Sequence, residues 1–424
     1  MLSLISKLAL PRAEGARSNI LWLVLMSVAL TVILLPFSSY VAALPLIKTE
    51  WGLNNTQAAV IYSAFLVGYA FSALVVIPLT DRFGPKPVFL AAAALSVASH
   101  ILFPWLGDGI VSASLLRALQ GIGLVGVYMP AVRIISDRFA AKGRGAAIGF
   151  FVAAGYGGNS LSLVSTGGLM ALTTWRTSYL IVSLIAAASL PLAYALLRGH
   201  RHAPSGRPSG RLDPTILKVR PIRYMVAGYT LHTLEIFTFQ AWLPSFLAAV
   251  LVMRGSTAED AAVVAAAAAG LAFAVGSVGP IIGGALSDRW GRAGTAALIF
   301  ALSGACAWAI GWMGGLSWSL IVFVAVVYGI ATSADSAIYS AGLVDAAPPS
   351  RLGSAMAVQA FIGFAGGVAG PIIVGGILDL VPEDIAWGVG FSFLGVLALI
   401  AAGLFIRLSA MTRRTQAASS SRQD

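Results

Sequence analysis

Arg117, His232, Glu235 and Asp335 are the clearest ionisable residues inside the long apolar runs of this sequence. An ionisable group at bilayer depth costs roughly 3 kcal/mol or more, so it usually faces a partner or a cavity. Glu235 has the chemistry of a proton carrier. Burial disfavours a charged carboxylate, so such a carboxyl can load and release protons. His232 precedes it by one helical turn, at i, i+3, close enough to share that proton. Arg117 could bind an anionic solute or bridge to a carboxylate. A plainer reading stands beside each: a His–Glu hydrogen bond or a buried Arg that only ties helices together.

Helical phase, at about 100° per residue, groups these residues with aromatic neighbours. Arg117, Gly121 and Tyr128 share one face. Glu235, Phe239 and Trp242 share another, and Tyr328, Asp335 and Tyr339 a third. Tyr128, Trp242, Tyr328 and Tyr339 could therefore line a site, although aromatic side chains also serve as ordinary packing and interface anchors.

The elements that hold these residues follow from composition. The chain has 424 residues, 58% hydrophobic and 10% charged, against roughly 25% charged in a soluble domain. Lipid must be most of its solvent. A helix needs about twenty apolar residues to cross a bilayer. Runs of that kind predict about twelve transmembrane helices, near 20–45, 57–80, 88–107, 111–135, 145–170, 177–197, 224–250, 261–286, 295–315, 317–343, 353–379 and 385–406. The N-terminal segment shows no small-residue cleavage site, so the first run reads as a retained helix.

Basic residues set the expected orientation. With the N-terminus in the cytoplasm, the cytoplasmic gaps hold Arg12, Arg17, Arg82, Lys86, Arg138, Arg144, Arg289, Arg292 and Arg351, and the outer gaps hold only Lys48, Arg176 and Arg254. That asymmetry places both termini in the cytoplasm. The net charge of +11 is thereby explained by topology, and no nucleic-acid partner is expected. The expected organisation is a six-helix bundle over 1–198, a cytoplasmic linker over 199–221 rich in Arg, Pro, Gly and Ser, a second six-helix bundle over 222–411, and a disordered tail over 412–424.

The halves repeat. Leu79-Thr80-Asp81-Arg82-Phe83-Gly84 returns 207 positions later as Leu286-Ser287-Asp288-Arg289-Trp290-Gly291, and Asp137 and Arg144 return as Asp345 and Arg351. Repeats in parallel orientation are a transporter architecture. No nucleophile elbow, zinc-protease helix or phosphate loop is present. One cysteine, Cys306, and four histidines leave no expected metal site, and no cofactor is expected.

Gly284-Ala285-Leu286-Ser287-Asp288-Arg289-Trp290-Gly291-Arg292 resembles the G-x-L-[AS]-D-R-x-G-R signature of the major facilitator superfamily throughout. The first half departs from it, with Ile77 for the opening Gly and Pro85 for the final Arg, although Lys86 keeps a basic charge. Arg117-Ala118-Leu119-Gln120-Gly121 is similar to the family's R-x-x-Q-G motif. The resemblance implies an all-α membrane fold of two parallel six-helix pseudo-repeats, in which spans 1, 4, 7 and 10 line a central cavity. It also implies an ionic latch at the cytoplasmic helix ends, drawn from Asp81, Arg82, Lys86, Asp137, Arg144, Asp288, Arg289, Arg292, Asp345 and Arg351. Topology anchoring by loop charges is the plainer account of the same residues. Gly366-Gly367, Gly370-Pro371 and Gly375-Gly376 suffice as close-packing residues.

The expected function is secondary active transport by alternating access, proton-coupled, in a bacterial inner membrane, with a small organic or inorganic anion as solute. A weak echo of cyanate and nitrate permease-like branches, in Ala241-Trp242-Leu243-Pro244, points the same way. Proton-driven efflux of lipophilic cations is the alternative within transport, and a transporter-like sensor or channel the alternative outside it. A small-molecule solute, protons and the lipid bilayer are the expected partners, with a monomer sufficient.

Overall fold

A computed structural model describes residues 16–139, 141–199, 213–348 and 351–420; side chains at positions 16, 17, 73, 74, 77, 78, 81, 141, 142 and 412–420 lie outside the description. Every long element among the described residues is an α-helix. In lipid this is forced, because a helix satisfies its own backbone polar groups.

In the first half the helices are α1 (Ala16–Ile33), α2 (Ser39–Trp51), α3 (Asn55–Phe83), α4 (Pro85–Leu106), α5 (Ile110–Arg138), α6 (Ala141–Met170), α7 (Trp175–Ala187) and α8 (Ser189–Leu197). In the second they are α9 (Arg220–Met253), α10 (Ala258–Gly276), α11 (Gly279–Trp290), α12 (Arg292–Ile310), α13 (Trp318–Ala334), α14 (Ser336–Ala346), α15 (Leu352–Leu380) and α16 (Glu383–Ser420). Among the described residues, ten helical stretches are long and apolar enough to cross a membrane. The 29-residue α3 and the pair α1–α2 complete the twelve expected spans. Large apolar side chains such as Phe71, Val111, Ile281 and Phe323 stand on the outer surface, where lipid is their natural solvent.

Among the described residues, four spans are interrupted: α1–α2, α7–α8, α10–α11 and α13–α14. The first break, residues 34–38, has a local cause. Pro36 lacks an N–H, and its ring crowds the carbonyl one turn back. The third precedes Pro280 in the first turn of α11. At the fourth, Asp335 is the single residue between two helices, and two positions before it the Ser333 hydroxyl bonds the Gly329 and Ile330 carbonyls of the preceding turn, a contact that bends helices.

Gly84 and Gly291, 207 positions apart, have φ of 85° and 84°. Each is the N-cap of the third span of its half, α4 and α12. Only glycine adopts this conformation freely, which explains its place in both copies of the repeated motif. Pro85 then occupies the first turn of α4, where its fixed φ suits a helix start.

Two compact units emerge from the packing. One comprises residues 1–53, 60–209 and 247–270, and the other residues 54–59, 210–246 and 271–424. The core of the first includes Trp22, Met26, Phe89, Val127, Ile134 and Phe151. The second is built around Ile222, Met225, Phe300, Ile338, Tyr339 and Phe405.

Two stretches differ from their sequence expectation. Positions 200–212 of the linker lie outside the described residues, but its end is ordered. Asp213 caps a short 3-10 helix, Pro214–Lys218, and Ile216 is buried in the core of the second unit. One apolar anchor outweighs the polar composition around it. Likewise α16 runs through Ser420 into the expected tail, because Arg413, Arg414, Gln416, Ala417 and Ala418 are good helix formers. Positions 421–424 lie outside the described residues.

Candidate functional site

Each unit buries its own polar cluster. In the first unit the centre is Arg117 on α5, only 1% exposed. One guanidinium nitrogen, Nη1, donates to Gln120 Oε1 at 3.0 Å and to the Phe37 carbonyl at 3.4 Å. Phe37 lies in the break between α1 and α2, so Arg117 meets backbone that the break released. The guanidinium carbon stands 4.8 Å from the ring centre of Phe65, 5.3 Å from that of Tyr40 and 5.9 Å from that of Tyr62. All three are within cation–π range. Gln120 passes the network on, donating to the Ser99 carbonyl at 3.3 Å and to the Tyr179 hydroxyl at 3.4 Å. Arg117 Nε has no hydrogen-bond partner. No carboxylate pairs with Arg117 among the described residues. The far side of the break is held by α6: Asn159 accepts from Ser38 Oγ, Ser162 Oγ accepts from Ser38 N at 2.8 Å, and Thr31 Oγ1 donates to the Ala154 carbonyl at 3.1 Å.

The second unit buries two acids. His232 Nδ1 lies 2.7 Å from Asp335 Oδ1, and its Nε2 is 3.1 Å from Ser336 Oγ. Tyr339 donates its hydroxyl to Asp335 Oδ2. This chain, Tyr339–Asp335–His232–Ser336, crosses from the break in span 10 to α9. Sequence spacing suggested Glu235 as the partner of His232; the structure gives His232 to Asp335 instead. Neighbours at i, i+3 share a face, but a tertiary partner with better geometry wins the contact.

Glu235 faces α12 and α13 of its own unit. Its Oε2 accepts from Ser303 Oγ at 3.3 Å, long for a hydroxyl donor. The Tyr328 hydroxyl lies close enough to this carboxyl to interact with it, though without the geometry of a well-formed hydrogen bond. Tyr328 packs edge-on against Phe239, with ring centres 4.5 Å apart. Thus Tyr328, Asp335 and Tyr339 do share a buried face, but two different acids of α9 and the α13–α14 break receive them.

Trp242 and Tyr128, the other two expected site residues, make aromatic contacts of their own. Trp242 donates its indole N–H to the Pro371 carbonyl at 3.0 Å and meets Trp387 edge-on. Tyr128 is half-buried and stacks on Phe151 with ring centres 6.2 Å apart, well along α5 from Arg117.

Of the latch residues, Asp288, Arg292 and Asp345 of the second half come together. Arg292 bridges Asp288 at 2.5 Å and Asp345 at 3.3 Å, and also donates to Ser287 Oγ at 2.7 Å. Arg289 stands exposed beside it. Arg351 pairs with Asp213 and Thr215, not with Asp345. Hydrogen bonds from Thr215, and then the Arg351 guanidinium, hold the Asp213 carboxyl below the usual carboxylate range. In the first half Lys86 donates to the Arg198 carbonyl at 3.4 Å and sits over the Tyr194 ring. Arg82 lies over Phe83, Arg144 donates to the Phe139 carbonyl at 3.4 Å, and Asp137 is exposed. The Asp81 side chain lies outside the described residues.

Sequence reasoning passed over Tyr62, Phe65, Ser303, Ser336 and Asp213. For Gln120 the signal was present, because the R-x-x-Q-G spacing sets it at i+3 from Arg117. For the others there was none, since contact across helices leaves no local mark.

The fold and the family are independently recognisable. A nucleoside transporter NupG structure superposes with a TM-score of 0.74 at 13% identity, covering 91% of this chain and 99% of that one. A bacterial homologue of the human lysosomal transporter Spinster superposes with a TM-score of 0.72 at 17% identity, covering 94% and 98%. Among curated relatives, the hexuronate transporter of Bacillus subtilis is 24% identical over 80% of this chain and 82% of its own. The gallate transporter of Pseudomonas putida is 27% identical over 90% of each, and a probable nitrate/nitrite transporter of Mycobacterium tuberculosis is 25% identical over 83% and 87%. The sequence profile of the Major Facilitator Superfamily matches residues 26–324. An all-helical chain of about twelve spans, with two parallel repeats that carry the same motif, thus belongs to the major facilitator superfamily of membrane transporters.

Proposed function

We propose that this chain is a secondary active transporter that couples a small anion to protons by alternating access. The observation that carries the anion is Arg117. A buried charge is normally paired, because burying it alone is costly. Here rings and carbonyls surround a guanidinium with one nitrogen unpartnered and no carboxylate at hand among the described residues. An anionic solute supplies the missing charge. The relatives named for hexuronate, gallate and nitrate support the same class.

Glu235 is the proton carrier in this reading. It is buried, and the groups beside its carboxyl are hydroxyls, those of Ser303 and Tyr328, with no cation paired to it among the described residues. The His232–Asp335–Tyr339 chain is the second buried polar cluster of the same unit, with Tyr328 beside Glu235, while Tyr128 and Trp242 shape the helices that carry the site. Arg292, Asp288 and Asp345 form the latch, whose exposed bonds are weak enough to open in each cycle. The moving bodies are the bundles at 1–198 and 222–411. The distribution of Lys and Arg supports a bacterial inner membrane orientation with both termini in the cytoplasm, and a monomer suffices.

Proteoliposomes test this directly. Gallate, galacturonate and nitrate are offered in turn against tetraphenylphosphonium, with internal pH recorded for the wild type and Glu235→Gln. Proton uptake that depends on one of the anions and falls at least tenfold in the variant is expected. Proton release driven by the lipophilic cation would replace the anion with efflux. Anion flux without proton movement, unchanged in Glu235→Gln, would make Glu235 structural.

A further inference from the structure

At the end of the second unit where α9 begins, the described acids already have cations. Asp213 pairs with Arg351, and Arg292 takes Asp288 and Asp345. Lys218, Arg220, Arg223 and Arg407 are left over. All four are exposed, and their side chains make no hydrogen bond or ion pair among the described residues. The sequence offers no local partner either: positions 214–234 and 385–414 hold six Lys and Arg and no Asp or Glu.

The four cations gather on one surface. Ile216 and Ile222 share an apolar core with Phe405 and Leu408. A Cβ on Gly228 would come within 2.3 Å of the Phe405 ring, so the start of α9 lies against α16 near Arg407. Their backbone is pinned. Buried Ile216 and the Arg351 bonds to Asp213 and Thr215 hold the 3-10 turn that carries Lys218, and Asp213 N donates to Ser354 Oγ at 3.1 Å. Arg220 and Arg223 follow at the start of α9, neighbours at i, i+3. The patch also borders the lipid-facing surface. Leu399, Ile400 and Ile406 of α16 are exposed apolar side chains, and Arg407 comes directly after them. A long basic side chain at such a border lays its stem on apolar surface and its charge at headgroup depth.

We infer that Lys218, Arg220, Arg223 and Arg407 form a binding site for the headgroup of an anionic phospholipid. About four or more basic residues beside the end of a membrane helix attract anionic lipid. A guanidinium also offers a phosphodiester charged N–H donors in a fixed fork. The general bias of Lys and Arg toward one side of a membrane accounts for the sign of this surface. It does not account for cations gathered on pinned backbone, with the neighbouring acids already paired. The apolar border favours a lipid over a soluble phosphate, because only the lipid has chains to lie along it. The site lies within the second unit, involves neither Arg117 nor Glu235, and is independent of which solute or coupling ion is used.

Lipid binding to the full-length protein, purified in detergent and stripped of lipid, tests this. Phosphatidylglycerol or phosphatidylethanolamine with matching acyl chains is added, and bound lipid is counted by native mass spectrometry. Wild type is expected to take the first phosphatidylglycerol about tenfold more readily. The triple variant Arg220→Gln, Arg223→Gln, Arg407→Gln is expected to lose that preference. Arg82→Gln, Arg144→Gln, Arg289→Gln removes the same charge from exposed arginines elsewhere and should keep the preference to within about twofold. Arg223→Gln and Arg407→Gln singly should each lower it by about threefold, and they carry the test should the triple variant purify poorly. An excess of glycerol phosphate should leave the bound lipid in place. Equal binding of the two lipids by wild type, or equal loss in the two triple variants, would overturn the inference. So would displacement by glycerol phosphate, which would make the patch a site for a soluble anion.

Discussion

Arg117 meets its neighbours through the shape of a guanidinium as well as through its charge. One nitrogen reaches both Gln120 and the Phe37 carbonyl, while three rings lie within cation–π range of the guanidinium carbon. Lysine keeps the charge but offers neither a fork nor a flat face. Arg117→Lys is therefore expected to cut initial uptake of the transported anion roughly tenfold or more, measured against wild type at equal reconstitution. Uptake within twofold of wild type would show that charge alone suffices. Arg117 and Gln120 were legible in sequence because their spacing on one helix is a local fact. The pairing of His232 with Asp335 was not. Phase on α9 gives the face His232 occupies but not which acid another helix presents there, so the nearer-in-sequence Glu235 looked the better partner.

At the scale of elements, spans were readable to within a few residues because lipid demands long apolar helices. Their interruptions were less so. Pro36 announces the break in span 1, whereas nothing so plain marks Asp335 in span 10. The ends of three helices in the first unit are joined by Glu50, at the end of α2. Its carboxylate receives the Trp175 indole N–H at 2.5 Å and Arg176 through Nε and Nη2 at 3.1 and 2.6 Å, and Arg176 also donates to the Pro104 carbonyl of α4 at 2.6 Å. Partial burial pushes the Glu50 carboxyl up, but bonds from Trp175 and Arg176 outweigh it and hold the group below its ordinary value of 4.5. A depressed carboxyl stabilises the fold above its unfolded value and loses that contribution as pH falls through the folded one. Glu50→Gln should thus melt below wild type at pH 7, with the gap closing as the pH drops under about 4.5. Parallel melting curves at both pH values, in detergent, check this; a gap that widens in acid would contradict it.

For the whole molecule, duplication is visible in Gly84 and Gly291, which hold the same turn in both halves, yet the copies have diverged in use. Pro85 starts a helix where Arg292 ties Asp288 to Asp345, and Lys86 turns to Tyr194 and Arg198 instead. Arg292→Ala is accordingly expected to slow anion counterflow several-fold more than Lys86→Ala; equal effects would mean that the two halves still share one device. The uncompensated Arg117 has a further bearing. A charge held within the bilayer feels the transmembrane voltage, at about 2.3 kcal/mol per elementary charge for each 100 mV across the full field. Carried through a tenth of that field, Arg117 changes the energy of a step by about 0.2 kcal/mol per 100 mV. In the proposed cycle an anion would offset that charge in the loaded carrier and a deprotonated Glu235 would offset it in the empty one, so both legs would be nearly blind to voltage, whereas Glu235→Gln would leave the empty carrier charged and its return dependent on the membrane potential.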